Sequence, residues 1–262
     1  MKGIGSILGS LDRGDLITPY LEAAVEGDLW PDSYTVKVDS SPYYGLTDLS
    51  GENLLLGSGD GYFHPSTHPL MSARELYFHF HPNHINDKPA RKKFNFAGAM
   101  TVSAGTALHS IIQTKLDMIG MLKDPEWEYV DEERKVRGRI DGVFMHPEEG
   151  DFVFEYKTQN SRGFARENDP KHSWVVQTNL GMHYRGLDRA VVLVQEMGYP
   201  FSTKEFHVEK DQAMLDRIFE KFALVRECIE KDTPPPCDHH HGSAERTNCP
   251  FREVCDSIEF GN

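Results

Sequence analysis

The chain has 262 residues, enough for one large domain or two smaller ones with a sizeable core. Its 39% hydrophobic and 26% charged residues are typical of a globular protein and exclude a disordered chain. The net charge of −13 argues against a protein coated in nucleic acid, but it is compatible with an enzyme whose acidic site holds metal ions and whose basic patches are local.

No apolar run in the sequence reaches the roughly 18 residues that span a bilayer. Asp12 and Asp15 interrupt the N-terminal stretch too early for a signal peptide. We therefore expect a cytoplasmic protein with no membrane partner. Two local basic patches, at residues 88–93 and 134–139, stand out against the acidic balance, and a solvated loop or face is the alternative interpretation of each.

Residues 1–70 are rich in Gly, Pro, Ser and Asp and predict an irregular N-terminal region with a short strand or two, near 33–41 and 52–63. The pattern changes at Ser72, where residues 72–80 predict a short helix. Residues 99–122 predict a long helix, because their apolar positions recur at three- and four-residue steps. Three strand-like segments follow at 127–131, 135–146 and 151–159, with a hairpin turn signal between the last two.

The second half of the chain continues this alternation. Residues 173–185 and 211–231 predict helices, and 189–197 and 204–210 predict strands. This order is typical of an α/β (α+β) fold with a central mixed β-sheet flanked by helices. We divide the chain into an irregular region at 1–70, a core at 71–232, and a Pro-rich, irregular Cys/His tail at 233–262 that binds metal and packs on the core.

The segment 152–160 is typical of a buried strand, yet it carries Glu155 and Lys157. Residues two apart lie on one face of a strand, and buried charges need a partner or a metal. The preceding strand of the hairpin carries Asp141, which pairing through the turn brings near Glu155. Two converging carboxylates bind a hard divalent cation, and a lysine beside them can hold or polarise a water. The pattern predicts a metal site.

These charged residues belong to a set of short motifs. In chain order the motifs are Gly105-Thr-Ala-Leu-His109, Gly138-Arg-Ile-Asp141-Gly142, Phe154-Glu155-Tyr156-Lys157-Thr158, Gln177 with Tyr184, and Cys249-Pro-Phe-Arg-Glu-Val-Cys255. Together they resemble the PD-(D/E)XK nuclease superfamily, and specifically its RecB-like branch, which includes the AddB nuclease domain, CRISPR-associated RecB-like exonucleases and phage exonucleases. The resemblance runs from about Ser72 to Cys255 and makes residues 71–232 the expected nuclease core.

The resemblance implies a restriction-endonuclease-like core and a role for each matching residue. His109, Asp141 and Glu155 would be ligands of a catalytic Mg²⁺ or Mn²⁺, with the backbone carbonyl of Tyr156 as a further ligand. Lys157 would orient the attacking water and stabilise the transition state.

Three residues are expected to contact the DNA backbone: Gln177, Tyr184 and Arg139. Of these, Gln177 also counts among the catalytic residues. The branch usually places its tyrosine four residues after the glutamine, where this chain has Gly181. Tyr184 lies one turn further along and can still share a face with Gln177.

The four cysteines all lie in the last 35 residues, which favours metal binding over disulfides in a cytosolic chain. A Cys₃His set would consist of Cys237, Cys249, Cys255 and one of the histidines 239–241, of which His239 is the first. Such a set suits a structural, tetrahedral Zn²⁺. The RecB-like branch often holds a 4Fe-4S cluster here, and that is the alternative cofactor. Ser72 stands where its early cysteine is usual, and Cys237 lies twelve residues before Cys249 rather than about three. A flexible surface loop remains the alternative for the histidines.

The sequence thus predicts a hydrolase, a metal-dependent deoxyribonuclease, with an exonuclease favoured by resemblance alone. An endonuclease or repair nuclease with the same centre is one alternative. A catalytically silent DNA-binding or structural protein that kept the fold is another, and RNA is a weaker substrate candidate. A homo-oligomer and a recombination or repair partner protein both stay open.

Overall fold

The computed structural model describes residues 14–27, 60–87, 95–239 and 243–260. The basic patch at 88–93, His240 and His241 lie outside these ranges. So do the two short strands predicted near 33–41 and 52–63, apart from residues 60–63. The chain divides into two compact units. Unit 1 comprises residues 1–40, 96–129 and 139–211, and unit 2 comprises 41–95, 130–138 and 212–262. The three-part division expected from the sequence stays a prediction.

Unit 1 is built on a five-stranded mixed sheet, as the sequence predicts. Its strands lie in the order β1-β4-β5-β6-β7. They span Leu122–Lys123 (β1), Gly142–His146 (β4), Gly150–Gln159 (β5), Arg189–Glu196 (β6) and Thr203–Glu209 (β7). β5 and β6 run parallel, and the other neighbours are antiparallel. The unit also contains helices α3 (Phe96–Met118), α4 (Ser161–Arg166) and α5 (His172–Arg185).

The two faces of β5 have different surroundings. Phe152, Phe154 and Tyr156 point into a hydrophobic core with Ile112 and Leu116 of α3. Glu155 and Lys157 alternate with them and therefore lie on the opposite face. The sheet thus buries one face of β5 in an apolar core and presents charged groups on the other.

The segment 135–146, predicted as one strand, is two strands separated at Asp141. β3 (Val136–Ile140) forms a two-stranded sheet with β2 (Trp127–Asp131), whereas β4 joins the five-stranded sheet. The change of direction occurs at Gly142, whose φ is +152°, and a Cβ there would lie 2.6 Å from Cδ1 of Leu122. A side chain at residue 142 would collide with Leu122, so the chain passes from β3 to β4 through a glycine. Asp141, directly before it, lies where the two strands meet.

The expected irregularity of residues 1–70 is wrong for residues 18–26, which form helix α1 (Thr18–Glu26). The Glu205 carboxylate accepts hydrogen bonds from the backbone N–H groups of Leu16 (2.7 Å) and Thr18 (2.6 Å) at the start of this helix. Leu16, Ile17 and neighbouring apolar residues then enter the core. The helix depends on a cap nearly 190 residues away in sequence, which no local pattern can reveal.

Unit 2 contains helices α2 (Ala73–Phe80) and α6 (Gln212–Glu230), both close to their predicted bounds. The sequence predicts an irregular tail, and that prediction is wrong for two segments. They form the helices α7 (Ala244–Asn248) and α8 (Arg252–Phe260). The Ser243 side chain caps α7 by accepting from the Arg246 N–H. Phe251 and Cys255 pack against Tyr77 and Phe78 of α2, so tertiary burial supports helices too short to stand alone.

Among the described residues, no helix is long and apolar enough to cross a membrane.

Candidate functional site: a His, carboxylate and lysine centre

His109 reaches the site from the middle of α3. One turn earlier on this helix, a Cβ at Gly105 would lie 3.1 Å from Oγ1 of Thr158 on β5. The glycine therefore allows α3 to lie close to the strand. The His109 ring lies beside Tyr156, with ring centroids 5.4 Å apart, and its Nε2 lies 3.3 Å from Oδ1 of Asp141.

Asp141 is fixed by backbone contacts at the junction of β3 and β4. Its Oδ2 accepts a 2.7 Å hydrogen bond from the N–H of Tyr156, and its side chain is only 10% exposed. Its own carbonyl accepts from Nε2 of Gln113 on α3 (2.8 Å). Because Tyr156 directly follows Glu155, this hydrogen bond places the Asp141 carboxylate beside the part of β5 that carries Glu155, near enough for the two negative charges to repel each other.

Glu155, Lys157 and Gln177 form a closed set of contacts. Lys157 Nζ lies 2.6 Å from Oε1 of Glu155, whose side chain is only 2% exposed. Gln177, on α5, donates from Nε2 to the same Glu155 oxygen (2.7 Å) and accepts from Lys157 Nζ at Oε1 (3.1 Å). The glutamine therefore holds both charged groups in a fixed relative position.

Burial and mutual repulsion perturb the charges of this centre. Burial, and after it the neighbouring Asp141 carboxylate, raise the pKa of Glu155 to about 7. Burial would lower the pKa of Lys157, but the Glu155 and Asp141 carboxylates outweigh it and raise that pKa. His109 behaves similarly: burial acts to lower its pKa, and the carboxylates around it raise it overall. The site thus concentrates negative charge, which the positive charges of Lys157 and His109 compensate only in part.

Glu126, which follows β1, is a residue that the sequence reasoning missed. Its Oε1 lies 3.8 Å from His109 Nε2 and accepts from Gln113 Nε2 (2.6 Å), while its Oε2 lies 2.6 Å from Nε of Arg139. Its φ of +58° is unusual for a residue with a side chain. A glutamate in the turn between two strands matches no spacing rule, so only its positive-φ conformation and its tertiary neighbours distinguish it.

The donor set suits a divalent cation. His109, Glu126 and Asp141 each offer one ligand atom, and these atoms lie within 4.8 Å of one another. Within the part of the chain that the structure describes, the buried Nε2 of His109 has no hydrogen-bond partner of good geometry, despite its two carboxylate neighbours. An imidazole nitrogen aimed between carboxylate oxygens is an arrangement that can bind a divalent cation.

Two of the residues predicted to contact DNA have partners within the protein. Tyr184 stacks on Tyr129, with ring centroids 4.5 Å apart, and exposed Arg139 pairs with Glu126. Gly181, at the position where the branch usually has tyrosine, packs so tightly that a Cβ would lie 2.7 Å from Cγ2 of Ile140. A larger side chain at residue 181 would therefore collide with Ile140.

In unit 2, the structure brings together only part of the expected tail set. His239 and Cys249 lie with Glu75 of α2, their ligand atoms within 4.8 Å of one another. Cys237 instead contacts Nη1 of Arg246 (3.6 Å) and the carbonyl of His239 (3.7 Å). Cys255 lies in the apolar cluster of unit 2.

Fold and site together define a mixed α/β protein whose sheet carries a His, carboxylate and lysine centre. No family model matches the chain, and no curated protein matches it. Solved structures with some likeness include SSO0001, at 13% identity over 92% of this chain and 96% of that chain, with a TM-score of 0.44. An alkaline exonuclease (LHK-Exo) from Laribacter hongkongensis is 16% identical over 66% of this chain and 89% of its own, with a TM-score of 0.47. The same exonuclease in complex with dAMP has 15% identity, 54% and 72% coverage, and a TM-score of 0.43.

Proposed function

We propose that the protein is a metal-dependent nuclease that hydrolyses phosphodiester bonds in DNA. The observation that supports this proposal most is that Asp141, Glu155 and Lys157 lie close together at the sheet. His109 lies beside Asp141, and the site is partly exposed. The sequence resemblance to the RecB-like branch of the PD-(D/E)XK nucleases supports the same activity, because each of these residues stands at a matching position.

In this proposal the chain's own groups hold the metal and orient the reactants. His109, Asp141 and Glu155 would hold Mg²⁺ or Mn²⁺, with the Tyr156 carbonyl as a further oxygen ligand and Glu126 adjacent. When bound, such an ion lowers the pKa of a water ligand and stabilises charge on the phosphate.

Lys157 keeps its proton because two carboxylates raise its pKa, so it is a cation at neutral pH. A lysine ammonium beside the carboxylates can donate a hydrogen bond to the attacking water and to a phosphate oxygen. Gln177 acts as a positioning residue, since its amide joins Lys157 to Glu155. Arg139 and Tyr184 stay proposed contacts for the DNA backbone.

The test is degradation of end-labelled linear DNA and of closed circular DNA, each with Mg²⁺, Mn²⁺ or chelator. Glu155→Gln keeps the size of the side chain and removes its charge. Glu209→Gln, at an exposed position at the end of β7, is the matched control. We expect linear DNA to be lost only with metal, with the control variant fully active and Glu155→Gln reduced by at least about a thousandfold.

The substrate form separates the alternatives. Survival of closed circles alongside loss of linear DNA identifies the exonuclease, which we favour on resemblance. Cutting of circles identifies an endonuclease or repair nuclease with the same centre. If the native chain cuts neither DNA, and both variants bind DNA as well as the native chain does, the protein is a catalytically silent binding protein and the proposal is wrong.

A further inference from the structure

We propose that unit 2 binds one Zn²⁺ ion through Glu75, His239 and Cys249. This site differs from the Cys₃His set that the sequence predicts, because a carboxylate from helix α2 replaces two of the cysteines. It is also separate from the centre proposed for catalysis, which lies in unit 1.

The distances fit a zinc ion. Oε2 of Glu75 lies 3.8 Å from Nε2 of His239, and these two residues and Cys249 each offer a ligand atom within 4.8 Å of the others. Zinc bonds of about 2.0–2.3 Å to oxygen, nitrogen and sulfur place tetrahedral donors roughly 3.3–3.8 Å apart. The three ligand atoms would therefore have to move by about an ångström to reach bonding distance of a single ion.

Each ligand is supported by local structure. Glu75 is the third residue of α2, where its Oε2 also accepts from the Ser72 N–H (2.8 Å) in a capping box. Cys249 ends α7, and its N–H donates to the Arg246 carbonyl (3.2 Å). His239 is 19% exposed and Glu75 16%, so both side chains are largely withdrawn from solvent.

The other cysteines are placed differently. Cys237 Sγ lies 3.6 Å from the Arg246 guanidinium, which is held in turn by Asp256 (2.7 Å). A thiol beside a fixed cation is a poor position for a second cation. Cys255 is buried with Phe78 and Phe251, and among the described residues the group around Glu75 includes neither cysteine.

The chemistry of the three donors selects zinc. The Cys249 sulfur lies near the Glu75 carboxylate, so a cation bound between them would take the place of the thiol proton, which leaves to solvent. A thiolate and an imidazole favour zinc over the hard cations Mg²⁺ and Ca²⁺. With three protein ligands, water occupies the fourth position. The ion would connect α2 to the segment between His239 and Cys249.

The test uses the full chain loaded with Co²⁺ in place of zinc. Cobalt bound to a thiolate gives a charge-transfer band in the near ultraviolet, whereas cobalt bound only to nitrogen and oxygen does not. All four cysteines lie between residues 228 and 255, within unit 2, so the band reports on this unit even if cobalt also enters the centre at His109. Competition with Zn²⁺ then gives the affinity for the natural ion.

We expect a band of one-thiolate intensity that disappears in Cys249→Ser and His239→Ala and persists in Cys237→Ser. Glu75→Gln should weaken zinc binding by at least about tenfold while preserving the helix cap, since glutamine also completes a capping box. Ser72→Ala is the matched control, because it removes the cap and keeps the carboxylate.

The Cys₃His alternative gives a band of three-thiolate intensity that is lost in Cys237→Ser or Cys255→Ser, and that result overturns the proposal. Visible absorption from an iron–sulfur cluster in the purified chain also overturns it. So does full zinc affinity in Glu75→Gln.

Discussion

Lys157 Nζ lies 2.6 Å from Oε1 of Glu155, and this pair joins a nearly buried carboxylate to a cation on the same face of β5. The lysine does not fully compensate the burial of Glu155, whose pKa is raised to about 7 because Asp141 adds a second negative charge. The metal-free centre therefore carries more negative charge than its own cations stabilise. Such an imbalance would favour the binding of an external cation, and it has measurable consequences.

The first consequence is a pH dependence of stability. A carboxyl group whose pKa is raised in the folded state binds its proton more tightly there, so the folded protein loses stability as pH rises from about 4.5 to about 7. We expect Glu155→Gln to remove a large part of this loss in chelator. Thermal unfolding of the native chain and the variant, from pH 5 to pH 8, measures it. Equal pH dependence in both proteins would contradict the assignment of the shift to Glu155.

Metal binding should follow the same titration with the opposite sign. Protons and the divalent ion compete for Glu155, so affinity for Mn²⁺ rises as pH increases towards and beyond about 7. Added Mn²⁺ should therefore restore the stability that the metal-free protein loses over that range. Calorimetric titration at pH 6, 7 and 8 checks this, and an affinity independent of pH speaks against Glu155 as a ligand.

Gln177 provides a third prediction. It donates to Glu155 and accepts from Lys157, so removing its amide frees both side chains to move. We expect Gln177→Ala to lower kcat by about ten- to a hundredfold with little change in KM, as for other groups that orient a reacting centre. His172→Ala, exposed on the first turn of the same helix, is the control. A rise in KM with unchanged kcat would instead identify Gln177 as a contact for DNA.

Glu126 provides a fourth prediction. Its carboxylate lies 3.8 Å from His109 and is held by Gln113 and Arg139. Glu126→Gln should raise the metal concentration for half-maximal cleavage by about tenfold, because one negative charge beside the ion is lost. Glu128→Gln, at an exposed position two residues further on, should leave that concentration unchanged. Equal metal requirements for both variants would leave Glu126 with only a structural role beside Arg139.

The contrast between Glu155 and Glu126 indicates what a sequence can reveal. Glu155 and Lys157 interrupt a strand that is otherwise apolar, so local alternation alone puts them on one face. The principal helices and strands of the core follow from periodicity in the same way. Other contacts join residues that are separated in sequence. They are the contact of Glu126 with His109, the cap that Glu205 provides for α1, and the contact of Glu75 with His239. No local pattern encodes those contacts, and the short helices of the tail depend on burial of Phe251 and Cys255.

Gly181 provides the last prediction, which concerns stability. A Cβ at this position would lie 2.7 Å from Cγ2 of Ile140 and 3.4 Å from Cγ1 of Val153, and both are buried, β-branched side chains. Because these side chains have little freedom to move, Gly181→Ala forces α5 away from the sheet. The overpacking costs about 1–3 kcal/mol, against about 1 kcal/mol gained from helix propensity, so we expect a net loss of up to about 2 kcal/mol.

Urea unfolding of Gly181→Ala measures this loss, with Gly14→Ala as a control, since nothing lies within 4 Å of a Cβ at residue 14. The cause can be isolated with Ile140→Ala, which removes the methyl group that the new Cβ would meet. If the close contact is responsible, the double variant is more stable than the sum of the single changes predicts, and the difference is their coupling free energy. Because Gln177 lies one turn before Gly181, the same displacement should lower kcat, and Ile140→Ala should partly restore it. Additive effects on stability would show that the approach of α5 to Ile140 does not determine the choice of glycine.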